Sequence, residues 1–236
     1  MATEEHTEVR VRVNRPGLIG LTLTGLLQLA SWGLCAWLLA IGIEIAGLLW
    51  LWPEQGAQHA RQMLDYEIGI LDREVTQSLL TSDPARFAGD VVLWLRHWLF
   101  ERTGLWPWLA QALAQPAGSG LWGWCLQALL ASVHITEVFG VRLAILVLAL
   151  PLFGVAALSA LGEGLLVRDL RRWDGGRESS YRYHLAKRAV KPAFIGPWVL
   201  YLSAPISVHP LLVLLPCVAI FGIAVMLTIG SFKKYF

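Results

Sequence analysis

The sequence predicts an all-α integral membrane protein. Four transmembrane helices are expected, with a helical domain on the outer, periplasmic side between the first and second. Three observations carry that expectation. Hydrophobic residues fill 56% of the 236 positions and charged residues only 15%, against about 25% charged in ordinary soluble domains. The apolar residues are gathered in long blocks, and about 20 in a row cross the ~30 Å hydrocarbon core as a helix. The basic residues fall mostly in polar segments that a four-span path brings to one side.

Residues 1–17 form a polar arm carrying Arg10, Arg12 and Arg15. Residues 18–52 read as the first transmembrane helix and its extension. Arginines before an apolar run resemble a secretory signal, but this run far exceeds the ~7–15 residues of a cleaved one, so an uncleaved signal anchor is expected. At 1.5 Å per residue the helix reaches the far interface after about 22 residues, near positions 39–43. Glu44 then sits at headgroup depth, Trp50 and Trp52 fit an interfacial aromatic belt, and Pro53 ends the helix.

Residues 53–141 have the mixed composition of a folded domain. Leu64, Ile68, Leu71 and Val75 recur at steps of four, three and four, which draws an apolar stripe on a helix. Asp83 followed by Pro84 is an N-cap and first-turn signature, and Phe87, Val91, Trp94, Leu95 and Trp98 share a face of the helix it opens. A short amphipathic piece follows, interrupted by Gly104, Pro107 and a turn at 116–120. With Trp106, Trp108, Trp122 and Trp124 nearby, that piece is expected to lie on the membrane surface.

Residues 142–167 read as the second transmembrane helix, with Pro151 absorbed as a kink. Ala156, Ala160 and Gly164, four apart, offer a seam where another helix can approach closely, although alanine-rich spans produce such seams by chance. Residues 168–192 form a basic cytoplasmic loop, residues 193–208 a short third span containing Pro197 and Pro205, residues 209–231 a fourth, and residues 232–236 a tail. The third is short enough to be a re-entrant limb instead.

Charge sets the orientation. The N-terminal arm, the 168–191 segment with its eight basic residues, and Lys233 with Lys234 hold most of the cations, whereas residues 53–141 carry five Arg against nine acids. By the positive-inside rule both termini and the basic loop are cytoplasmic. The net charge of +2 says nothing about partners.

The basic loop includes Arg177, Tyr181, Arg182, Tyr183, Lys187, Arg188 and Lys191. Topology alone accounts for its sign, and membrane lipids with anionic headgroups would engage it. Interleaved aromatics also fit contact with a protein or with DNA, and Ser179 or Ser180 can cap it as a helix.

No chemistry-bearing constellation stands out. The three cysteines are far apart, HExxH, GxSxG and GxxxxGK[ST] are absent, and no His or Cys cluster has metal-ligand spacing. No cofactor is expected. Glu44 and Glu163 are interfacial carboxylates, read as snorkelling to headgroup depth, although an acid in a span is by default a functional suspect.

The stretch "RDLRRWDGGRESSYRYHLAKRAVKPAFIGPWVLYLSAPISVHPLLVLLP", together with "SFKKYF" at the end, resembles the bacterial family of integrating conjugative element membrane proteins. The resemblance spans nearly the whole chain and is densest between Arg168 and Pro216. It implies residence in the inner membrane and a part in conjugative DNA transfer through a type IV secretion-like apparatus, alongside the coupling ATPase that feeds DNA to the channel. It carries no catalytic residues. The expected role is a non-enzymatic assembly or anchoring partner of the coupling ATPase or other channel subunits, with homo-oligomers and direct DNA contact left open. A small transporter or channel, or an exclusion factor acting in recipient cells, are the alternatives.

Overall fold

The computed structural model describes residues 18–74, 80–115, 120–174 and 180–231. All of its regular structure among these residues is helical. Helix α1 is Leu18–Trp50, α2 Gln58–Glu74, α3 Pro84–Arg96, α4 Leu105–Ala114, α5 Leu121–Asp174, α6 Ser180–Ser203 and α7 Pro210–Gly230.

Local signals explain most boundaries. Asp83 accepts a hydrogen bond from the Arg86 backbone N–H at 3.0 Å and Pro84 starts α3, so two of the four N–H groups left open at a helix start are dealt with. Beyond Arg96 the helix widens into a π-turn at His97–Glu101, closed by Arg102 N–H donating to His97 O. Gly104, at φ 75°, supplies the left-handed residue that reverses the chain into α4, a conformation glycine adopts without steric cost. Pro107 does not interrupt α4 as the sequence led one to expect. It lies in the first turn, where a missing N–H leaves no helical bond unmade.

Helix α5 is the spine. Its 54 residues extend roughly 81 Å at 1.5 Å each, more than twice a bilayer core. It passes without interruption through the expected boundary at 141–142 and through Pro151. Its C-terminal half packs in parallel with α7: Gly222 meets Ala156, Gly164 lies against Met226 and Ile229, and Gly230 lies against Val167. Helix α6 runs antiparallel alongside α7. Phe153, Phe194 and Phe221, one from each helix, meet with ring centroids 5.4–5.7 Å apart.

The N-terminal half of α5 carries everything else. Against it pack α1, through Ala40 and Leu48, α2, through Ala60 and Met63, and α3, through Val91 and Leu95 over Gly140. One buried cluster joins Ala36, Leu71, Ala88, Val141, Ala144, Tyr201 and Leu214. The expected outer domain and the apolar bundle are therefore fused around a shared core, not joined by a linker.

Two sequence stripes are displaced by this packing. The buried face of α2 is Ala60, Met63, Glu67, Ile70 and Leu71, while Ile68 is partly exposed; Val75 lies outside the described residues. On α3, Ala88 is buried and Trp94 and Trp98 are exposed. Periodicity located the helices and part of each buried face, since Leu71 is buried and Leu64, Phe87 and Val91 pack against the core; it missed Glu67 and Ala88, a carboxylate and a small side chain that the packing also buries.

Among the described residues three helices are long and apolar enough to cross a membrane: α1 over residues 23–50, α5 over 121–171 and α7. The expected third span, residues 193–208, is not a helix of that length. α6 stops at Ser203, since Pro205 disfavours helical backbone at Ala204, and residues 204–209 are non-helical. The helix instead begins at Ser180, so the basic segment and the apolar segment form one rod.

Candidate functional site

At the level where α6 ends, the chain buries a charge network. Glu67 comes from the middle of α2, Arg142 from the middle of α5 and Tyr201 from the last turn of α6. Arg142 Nε donates to Glu67 Oε1 at 2.9 Å, and Tyr201 Oη donates to Glu67 Oε2 at 2.8 Å. Arg142 Nη1 donates to the carbonyls of Ala204 at 2.7 Å and Tyr201 at 3.2 Å, and Nη2 to Ile206 O at 2.9 Å. All three side chains are 1% exposed or less.

The geometry follows from the broken end of α6. The last carbonyls of a helix have no intrahelical donors, and burying them without partners is costly. A guanidinium presents five N–H donors in a rigid fork, so Arg142 satisfies one of those carbonyls, Tyr201 O, together with Ala204 O and Ile206 O in the connection that follows, and still faces a carboxylate. Glu67 in turn neutralises the buried cation, and Tyr201 occupies the second carboxylate oxygen. The result is a cross-link of α2, α5, α6 and the α6–α7 connection, with both carboxylate oxygens engaged.

A second buried acid lies farther along α1. Glu44 is 1% exposed, and both of its oxygens lie 3.1–3.2 Å from His59 Nδ1. The Trp52 indole stacks on the His59 ring at 3.9 Å and 19°. Ala36, eight residues earlier, packs in the cluster that holds Val141 and Leu214, which puts Glu44 roughly 12 Å farther out along the helix. Its carboxylate is turned inward onto His59 and away from the protein surface, because the imidazole offers it a partner there. Glu163, on α5, is exposed.

Two more histidines face acids. His134 Nδ1 lies 3.1 Å from Glu137, whose other oxygen is 3.5 Å from Arg96 Nη1, and Arg96 stacks over Trp106 at 4.0 Å. His97 Nδ1 lies 3.0 Å from Glu101. A polar recess of about 430 Å³ beside the α1–α2 connection is lined by Gln58, Arg61, Gln127 and His134. Among the described residues no three His, Cys, Asp or Glu side chains gather as a metal site.

The expected docking surface is only partly described. Arg177 lies outside the described residues, and Tyr181, Arg182 and Tyr183 belong to the first turn of α6. Lys187, Arg188 and Lys191 are exposed along the same helix. The seam residues Ala156 and Gly164 lie at the α7 contact, with Ala160 buried between them.

Sequence reading missed Glu67 and Arg142. A signal was present: Arg142 is the one basic residue between Arg102 and Arg168, at the head of an apolar run, and Glu67 interrupts the Met63-to-Leu71 face of α2. A lone charge at each place required a partner, but only the fold could pair them.

These features define a helical membrane protein that buries two acids, Glu67 and Glu44, against internal partners. The family described as IncC plasmid conjugative DNA transfer protein DtrJ-like matches residues 51–233, and the chain belongs to this DtrJ-like family, in keeping with the conjugative resemblance of the sequence. No curated protein and no solved structure matches it.

Proposed function

We propose that the protein is a non-enzymatic inner-membrane component of a type IV secretion-like DNA transfer apparatus, and that it anchors the coupling ATPase. Membership of a conjugative DNA transfer family over residues 51–233 carries the reading. It is supported by the state of the buried acids: Glu67 has both oxygens bonded within the protein, and Glu44 faces His59. Groups so engaged serve as fasteners.

On this reading the chain crosses the membrane four times with both termini in the cytoplasm, and α2 to α4 face the periplasm. The antiparallel course of α6 beside α7 and the excess of cations in residues 1–17, 168–191 and 232–236 support it. The docking surface for the ATPase is the basic start of α6, where Lys187, Arg188 and Lys191 stand exposed on a rigid helix. A preformed helix loses less conformational entropy on binding than a loose loop does.

The test is deletion of the gene followed by measurement of element transfer, with plasmid-borne rescue. Transfer should fall sharply and return on rescue; undiminished mating overturns the proposal. Photo-crosslinking from positions 181 and 183 identifies the partner. An adduct with the coupling ATPase supports the anchoring role, whereas adducts with DNA or lipid alone remove it.

A further inference from the structure

Among the described residues the inner half of α1 is left largely uncovered. From Leu23 to Trp32 every residue is exposed, and a Cβ built on Gly25 or Gly33 would meet no atom within 4 Å. Helix α1 turns its other half onto the bundle through Ala36, Ala40 and Glu44.

Lipid suits most of this surface but not all of it. Gly20, Thr24, Gln28, Ser31 and Cys35 follow one another at steps of four, four, three and four, so they lie along one face. At 100° per residue that face is centred roughly 120° around the helix from the Ala36 direction. It therefore points away from the rest of the chain. The hydroxyls on it are satisfied locally: Thr24 Oγ1 donates to Gly20 O and Ser31 Oγ to Gln28 O, both at 2.8 Å. Gln28 is different. Among the described residues its side-chain amide has no hydrogen-bond partner.

Depth makes that a problem. Gln28 lies eight residues inward of Ala36, roughly 12 Å along the helix, and Ala36 belongs to the cluster at the outer end of α7. The amide thus falls near the middle of a ~30 Å hydrocarbon core, where no water can reach it and a bare amide is strongly disfavoured. Polar side chains there are satisfied across helix–helix contacts.

We infer that α1 forms a symmetric pair with α1 of a second copy of this chain, closed by a hydrogen bond between the two Gln28 amides. The symmetry argument selects a copy over an unrelated helix. Two copies in one membrane share one orientation, so a two-fold axis along the membrane normal sets each residue of α1 opposite its own counterpart. A residue at such a contact must be complementary to itself. A carboxamide is, having both an N–H donor and a C=O acceptor, and the small residues beside it let the backbones approach. The inference rests on the membrane placement of α1 and not on a role in DNA transfer.

The native thiol Cys35, exposed on the same face, provides the test. Full-length protein with Cys125→Ala and Cys217→Ala is oxidised in membranes with copper phenanthroline. A disulfide-linked dimer is expected, and moving the thiol to the opposite face (Leu26→Cys with Cys35→Ser) should abolish it. Gln28→Leu should lower dimer yield about five-fold, the size of one interhelical hydrogen bond, with Gln28→Asn retaining it. Gln28 and Cys35 are exposed among the described residues, so protein levels should hold. A monomer throughout, an adduct only with another protein, or a Cys35 dimer indifferent to Gln28→Leu would each overturn the inference. Mating assays address the proposed function separately.

Discussion

Arg142 holds Glu67 at 2.9 Å inside a protein in which neither side chain meets solvent. The pair sits where α6 ends, between α2 and α5. It joins α2 and α5 to carbonyls at the end of α6 and in the connection to α7. That position makes it the fastener on which the alignment of α6 with α5 and α2 depends.

Removing one partner should therefore cost far more than a surface ion pair. Arg142→Met leaves Glu67 charged and three carbonyls without donors, and Glu67→Gln leaves a buried cation. Either should destabilise the protein by about 3–5 kcal/mol, the usual penalty for half of a buried pair. Tyr201→Phe removes one donor and should cost about 1–3 kcal/mol. Thermal loss of helical circular dichroism in detergent measures all three, and a ranking with Tyr201→Phe worst would contradict the network.

The α5–α7 contact should be sensitive to a single methyl group. A Cβ on Gly164 would lie 2.9 Å from both Ile229 Cβ and the Met226 carbonyl, so Gly164→Ala must push α7 outward. Overpacking of this kind costs about 1–3 kcal/mol. Gly162→Ala, two residues away with nothing within 4 Å, serves as the control and should be neutral or slightly stabilising. Equal melting temperatures for the two variants would mean that α7 does not pack there.

Gly47 keeps Trp52 over His59. A Cβ at position 47 would overlap the indole ring, so Gly47→Ala should lift Trp52 away and open His59 to solvent. Diethyl pyrocarbonate labelling, read peptide by peptide in a mass spectrometer, should then rise at His59 and stay constant at the exposed His97. Unchanged labelling of His59 would rule out the stacked arrangement.

Orientation is checked with reporters. Alkaline phosphatase fused after residue 110 should be active and after residue 180 inactive, with a cytoplasmic reporter giving the opposite pattern. Matching signals at the two sites would contradict the four-span path.

Much of this was legible in the sequence for a simple physical reason. Whether a segment is helical and apolar depends on its own residues: the blocks that became α1, α5 and α7, the Asp83–Pro84 start of α3 and the helical reading of the basic segment all follow from local composition and capping. The faces of α2 and α3 were legible only in part, since the full extent of the buried side depends on what lies opposite.

Composition by itself determined that the chain is helical and apolar enough for a membrane, and where its cations gather. Only the tertiary structure decided that α5 runs unbroken through both regions, and that Glu67 and Arg142, 75 residues apart, neutralise each other. Solvation is a property of a segment, whereas a buried charge is tolerable only through a partner, and sequence distance does not reveal which partner the fold brings within 3 Å.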